Sequence, residues 1–388
     1  MATAEQDAEG DEEDTVGGGE EKAGDRRARR GTAVNGARIA ARMGLVLLAA
    51  AGLPLLAPAP AAAHGVGVGL RPTSYRSEVT GISPPVQGLT ARMREAGAKI
   101  ELENDSGREV LVLGYSQEPY LRVGPDGVFE NRRSPTSWAN RSLAPSGKAA
   151  PSEYDPNAPP LWRKIGSRPL AVWPDQRSHW TNPTDPPEVR RARGERHLVV
   201  PKWQIPLRQG DQTILVSGTV TWVPGPSPLP WAVLALALGA ALLLAVRTPR
   251  WRLALMVATG LAVVADVLHT VGSWLASTAS AVTKTYGMSV SIAAWVVGGL
   301  AIARLLARKD LAARTYLLLA SVFLLLAGGA LDLPVLADSQ LPSALGPLVT
   351  RVSVATVVGL GTALVVVALR GLPSERRAAR RRPPARPR

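Results

Sequence analysis

Between Trp231 and Leu369 the hydrophobic residues gather into five long blocks, roughly 230–246, 253–275, 287–307, 313–333 and 347–369, with few charges inside them. Each block is long enough to cross about 30 Å of hydrocarbon as a helix, and a soluble fold has no place for so many. The sequence therefore reads as an integral membrane protein. Its formal charge of +14 invites a nucleic-acid reading, but the position of that charge decides against one. Residues 1–63 carry 7 basic and 10 acidic side chains, 64–230 carry 21 and 16, and 231–388 carry 17 and 5. If the segment before the helices is exported, the first span runs outside to inside and the C-terminus is cytoplasmic. Inner segments then hold 15 Lys and Arg, including Arg247, Arg304, Lys309 and eight Arg of the tail, while outer loops hold only Lys284 and Arg351. That asymmetry follows the positive-inside rule, and Trp231, Trp251 and Trp274 fall where interfacial rings belong. The chain has no Cys, which excludes disulfides, thiolate metal sites and Cys nucleophiles.

The N-terminus reads as a leader. Residues 1–43 are acidic and then basic, without apolar periodicity, and are expected to be disordered. Residues 44–63 form a hydrophobic region ending in Pro58-Ala-Pro-Ala-Ala-Ala63, an Ala-x-Ala site. Pro60 blocks cleavage after Ala59, so the expected cut follows Ala63 and the mature chain begins at His64.

From 64 to 223 the composition changes to short alternating runs with turn punctuation, which is the signature of strands. Lys99–Glu103 and Glu109–Tyr115, separated by Asn104-Asp-Ser-Gly107, read as a hairpin. Tyr120–Val123 and Val128–Glu130 flank Pro125-Asp-Gly127, and Leu170–Trp173 is a further candidate. His197–Leu207 and Thr213–Val223 join at Gln209-Gly-Asp211, and Pro201 and Pro206 make the first of them an edge or bulged strand. About seven strands without a convincing helix predict an antiparallel β-sandwich outside the cytoplasm. Residues 132–168 form a Pro/Ser/Asn-rich loop too long for a turn. Residues 224–230 are a Pro-rich linker, 231–369 the five transmembrane helices, and 370–388 a cytoplasmic Arg-rich tail. The predicted fold class is thus a β domain followed by an α-helical membrane domain.

His64 is the most suggestive position for chemistry. Cleavage before it leaves an α-amino group beside an imidazole, a pair of nitrogens that chelates Cu(II). On His64-Gly65 and the plan of a β domain joined to helices, the chain resembles periplasmic copper-resistance carriers and lytic polysaccharide monooxygenases, whose mature chains begin with His. That resemblance implies Cu(II) as a cofactor. A copper site would need His179 or His197, the only other histidines before the helices. Met93 is the only Met in that region, so any copper bound there is expected as Cu(II). The alternative for Asp175-Gln-Arg-Ser-His179 is a packed loop in which Asp175 pairs with Arg177 and His179 caps a carbonyl.

In the helical region Asp266 and His269 lie three apart and share one helix face. Ionisable residues at membrane depth normally face protein or water. Asp332 on the fourth block reaches a similar level, and Arg351 on the fifth is placed to neutralise either carboxylate. Two readings stay open, a polar pocket for a proton or small ion and a structural Asp–Arg pair with a bonded His. Glycine pairs such as Gly328-Gly329 suit close helix packing.

The tail Arg376–Arg388 suits anionic lipids of the inner leaflet, and no folded reader or aromatic platform accompanies it for nucleic acid. Nucleophile-elbow, His-Glu-x-x-His and phosphate-loop motifs are absent, so no catalytic residue is assigned and no enzyme activity is expected. Gly114–Asn131 and Val172–Trp180 resemble uncharacterised envelope proteins of high-GC Gram-positive bacteria, and 38 Arg against 7 Lys agrees with such a source. The resemblance implies an exported β domain anchored by helices. The function expected is a non-enzymatic cell-membrane protein presenting a β-sandwich that binds an envelope protein or ligand. Alternatives are Cu(II) handling through His64 and small-ion or proton transport through the helices.

Overall fold

The computed structural model describes residues 71–145 and 147–375. The leader, His64 and residues 376–388 of the tail lie outside them.

Ten strands build the β region: β1 Tyr75–Ser83, β2 Leu89–Arg94, β3 Lys99–Asn104, β4 Val110–Leu113, β5 Pro119–Gly124, β6 Gly127–Asn131, β7 Trp162–Gly166, β8 Leu170–Trp173, β9 His197–Gln209 and β10 Gln212–Trp222. They form two antiparallel sheets, a seven-stranded one in the order β1-β10-β9-β4-β5-β6-β7 and a three-stranded one in the order β2-β3-β8. Alternation drives this arrangement. Trp203, Ile205 and Leu207 on β9 and Ile214, Val216 and Val220 on β10 enter one core with Ile100 and Leu102 of the smaller sheet.

One expectation needs correction here, and another is met in one of its two alternatives. The predicted hairpin of 99–103 with 109–115 does not form, because β3 pairs with β2 and β8 while β4 pairs with β5 and β9. The Asn104–Gly107 turn instead carries the chain from one sheet to the other. Asn104 fixes the crossing, its buried amide donating to Arg108 O at 2.7 Å and Val123 O at 2.8 Å. The edge reading of β9 holds only in part. Pro201 lies where the β9–β10 register shifts, yet Leu207 and Arg208 pair with β4, so the strand is bulged and its end is interior. The loop over 132–168 contains β7 and a short helix, α1, Pro135–Ala139, and a second short helix, α2, spans Pro187–Arg191.

The C-terminal region is helical: α3 Leu229–Ala245, α4 Trp251–Ala276, α5 Ala281–Gly287, α6 Ser289–Leu306, α7 Asp310–Gly328 and α8 Gly346–Arg370. Four of these, α4, α6, α7 and α8, are long and apolar enough to cross a membrane, which points to membrane association. The expected count of five is not met, because α3 has 17 residues and rises only about 26 Å. The fourth block is also cut short. Helix α7 stops at Gly328, and Ala330–Leu336, with Pro334 inside it, continues as a 3-10 turn, so Asp332 sits on that turn. At the opposite end of the bundle Arg252 pairs with Asp310 at 2.8 Å, and Arg314 Nε donates to Ala368 O at 2.7 Å. Trp251 is buried there under the Arg252 guanidinium, 4.5 Å from the ring centre, and does not lie exposed at an interface.

The β region is seated on the helical one. Thr73 and Gln340 exchange backbone hydrogen bonds of 3.0 and 2.8 Å, and Ser74 Oγ donates to Asp338 Oδ1 at 2.9 Å. Glu95, held with Ala96 in left-handed backbone, projects a buried carboxylate to the loop after α4. It accepts the Thr278 backbone N–H at 2.6 Å, the Thr278 hydroxyl, and Lys99 Nζ at 3.1 Å. Such non-glycine strain persists only where its surroundings enforce it. The linker is docked as well, since a Cβ at Gly225 would meet Ala337 O at 1.6 Å.

Candidate functional site

The polar centre of the helical region is assembled from α4, α6 and the 3-10 turn. Asp266 and His269, one turn apart on α4, both face inward, and Asp266 is fully buried. Trp295 on α6 donates its indole N–H to Asp266 Oδ2 at 2.7 Å. His269 Nε2 shares a 3.1 Å hydrogen bond with Asp332 Oδ2. Beside them Thr270 and Ser291 hydroxyls lie 3.2 Å apart. Two atoms of this centre have no hydrogen-bond partner among the described residues, Asp266 Oδ1 and His269 Nδ1. Buried polar atoms are normally paired, so orphans gathered at one place mark a site. Gly328 makes room for them. A Cβ there would stand 2.3 Å from Asp266 Oδ1 and 3.7 Å from His269 Cδ2, so this end of α7 must be bare where the carboxylate sits.

A cavity of about 50 Å³ opens beside the centre. His269, Thr270, Ser273, Ser291, Asp332 and Thr350 line it, and Pro72, just ahead of β1, completes one wall. The structure thus brings Asp266, His269 and Asp332 together and leaves Arg351 out. Arg351 Nε donates to Val335 O at 3.1 Å and Nη2 to Asp338 O at 2.8 Å. The expectation that Arg351 neutralises Asp266 or Asp332 is therefore not met, because the turn carbonyls exposed by the end of α7 take its guanidinium. Burial holds the nearby Asp338 carboxyl above its ordinary range, opposed by the Ser74 hydroxyl and by Arg193 and Arg351. Sequence reasoning did not single out Trp295, although an indole inside an apolar helix needs an acceptor and was a usable signal.

The histidines of the β region are placed differently. His179 donates Nε2–H to Leu143 O at 2.7 Å, and His197 donates Nε2–H to Ala192 O at 2.7 Å. Burial pushes the His179 imidazole below its ordinary value. Asp175 pairs with Arg177 at 2.8 Å and also accepts the Trp173 indole N–H at 3.1 Å, so Asp175–His179 is a packed loop. Among the described residues no group of three or more His, Cys, Asp or Glu side chains is placed to hold a metal ion. A buried carboxylate that sequence reasoning missed is Glu118. It gathers Ser134 Oγ at 2.6 Å, Thr136 Oγ1 at 2.8 Å, and the backbone N–H groups of Ser116 and Thr136, fastening the start of the long loop to the sheet. Burial raises its pKa, and these donors outweigh burial to leave it below the ordinary carboxylate value.

Comparison of the chain with family models, curated proteins and solved structures gave no match.

Proposed function

We propose that the chain is a non-enzymatic multi-pass cell-membrane protein whose extracytoplasmic β-sandwich binds a component of the envelope and is mechanically joined to the helices. The observation that carries this reading is the inverted polarity of α4. Leu253, Val257, Leu261, Val264, Leu268, Val271 and Leu275 recur every three or four residues and are exposed, while Asp266 and His269 are buried on the other face. An exposed apolar stripe some 33 Å long is matched by lipid tails and by little else. The direction follows from charge, because Arg247, Arg250, Arg304, Arg308 and Lys309 fall at the end away from the β region. The junction through Thr73, Ser74 and Glu95 makes the β domain a seated cap, so an event on the sheets is felt by the 3-10 turn that carries Asp332.

The absence of Cys makes the test clean. Ser152→Cys in the long loop and Thr248→Cys between α3 and α4 are both exposed positions. We take α3, shorter than the other four, to cross as well at the low end of spanning length, so in intact cells a membrane-impermeant maleimide should label Ser152→Cys, and Thr248→Cys only after the membrane is opened. Labelling in the opposite order, or no membrane fraction at all, overturns the reading.

A further inference from the structure

We propose that the cavity between α4, α6 and the 3-10 turn binds a single small monovalent cation of the sodium class through oxygen ligands. This goes beyond the reading above and stands whichever way the chain faces. The argument begins with charge. Asp266 and Asp332 are two carboxylates with one imidazole beside them, and Arg351, the arginine on α8 at this end, is committed to Val335 O and Asp338 O. Lys284, a further cation of the helical region at this end, donates to Trp274 O at 3.0 Å. A buried site short of positive charge is relieved by a proton or by a mobile cation, and the cavity beside Asp332 has room for the second.

The donor chemistry then selects among cations. Apart from His269, the polar lining is oxygen: the Asp332 carboxylate and the hydroxyls of Thr270, Ser273, Ser291, Ser343 and Thr350. Hydroxyl and carboxylate oxygens suit hard ions, and the absence of sulfur donors disfavours soft ones. Only one carboxylate lines the cavity, whereas calcium sites collect several, so the charge fits a monovalent ion. Size agrees. About 50 Å³ accommodates an ion with one or two waters and is far below the ~300 Å³ at which organic-ligand pockets begin. A second observation concerns the ring nitrogen that His269 does not give to Asp332. His269 is nine-tenths buried, lines the cavity, and its Nδ1 has no partner among the described residues. In this arrangement Asp332 is the direct ligand, His269 sets its orientation, and Asp266 contributes charge from behind with its position fixed by Trp295 and by the bare Gly328.

The test is calorimetric titration of the full chain in lipid nanodiscs with NaCl, choline chloride holding ionic strength constant. Saturable one-to-one binding is expected, with affinity at least tenfold weaker in Asp332→Asn and in Gly328→Ala, whose new methyl displaces the Asp266 carboxylate. Ser291→Ala, a milder change than either, should weaken binding about threefold with the helical circular dichroism unchanged, and keeps the proposal open to refutation if the other variants do not fold. No saturable binding of Na⁺, Li⁺ or K⁺ to the wild type overturns the proposal. Binding that survives undiminished in the folded variants overturns it too. Because the nanodisc presents both faces, a reversed topology in the labelling experiment leaves this result untouched, and the two failures are distinguishable.

Discussion

Asp175 and Glu118 in the β region and Asp266 in the helical region are all buried carboxylates, and the molecule treats the first two and the third in opposite ways. In the β region Asp175 receives the Arg177 backbone N–H at 3.1 Å, its guanidinium at 2.9 and 2.8 Å, and the Trp173 indole, while Glu118 receives four donors. In the helical region Asp266 receives the Trp295 indole N–H and, among the described residues, keeps one oxygen without a hydrogen-bond partner. A buried acid surrounded by donors is a fastener, because folding has replaced its water. A buried acid left short of donors contributes little to folding, and under the cation proposal it is kept for its charge. The contrast separates structural from functional polarity without any motif.

The largest expected effect is at the fastener. Asp175→Ala leaves the Arg177 guanidinium without its counter-charge, held only by the Leu113 and Gly114 carbonyls, and strands the Trp173 indole N–H, and should destabilise the β domain by about 3–5 kcal/mol, read as early loss of β10 amide protection in hydrogen exchange. Glu118→Ala removes the acceptor of Ser134 and Thr136 and should cost about 2 kcal/mol by the same measurement, with residues 132–140 exchanging first. Its pH dependence has a definite sign. The folded Glu118 carboxyl lies below its unfolded value of about 4.3, so its contribution is complete above that pH and is lost as pH falls through the folded value. The difference in urea midpoint between wild type and Glu118→Gln should therefore be constant from about pH 5 to 8 and shrink below about pH 4. A constant difference down to pH 3 contradicts the assignment. Glu95→Ala is expected to leave both regions folded and to cost about 1–2 kcal/mol at their junction, seen as faster exchange at Thr278 alone. Smallest of all, Asp266→Asn should change stability by less than about 1 kcal/mol, because the amide keeps an acceptor for Trp295 and places no charge in the core.

What was legible in the sequence follows the same division. Strands with one wet face, such as β9 and β10, announce themselves by alternation, and the turns at Pro125-Asp-Gly127 and Gln209-Gly-Asp211 join hairpins as read. Strand β2, whose Leu89, Ala91 and Met93 alternate with Thr90, Arg92 and Arg94, was legible and was passed over, while β1 and β7 were not legible. Tyr75–Ser83 is polar along both faces, and Trp162–Gly166 exposes Arg163, Lys164 and Ile165 at the sheet margin, so neither shows a period of two. The destination of the Asn104–Gly107 turn was illegible for another reason: a turn sequence fixes a reversal but not which sheet receives the next strand. In the helical region the spacing of Asp266 and His269 disclosed a shared face. Their neighbour Asp332 could be placed only in space, since the end of α7 at Gly328-Gly329 lies inside an unbroken apolar block. The dependence of the site on Gly328 has no sequence signal at all.

The most direct test compares Asp175→Ala with Asp266→Asn in the full chain in nanodiscs, by hydrogen exchange of the β strands and of α4 under one set of conditions. The account predicts that Asp175→Ala opens the β domain while Asp266→Asn leaves α4 protected as in the wild type. Loss of α4 protection in Asp266→Asn as large as the loss in the β domain of Asp175→Ala would contradict it, since the helical carboxylate would then be a fastener like the others.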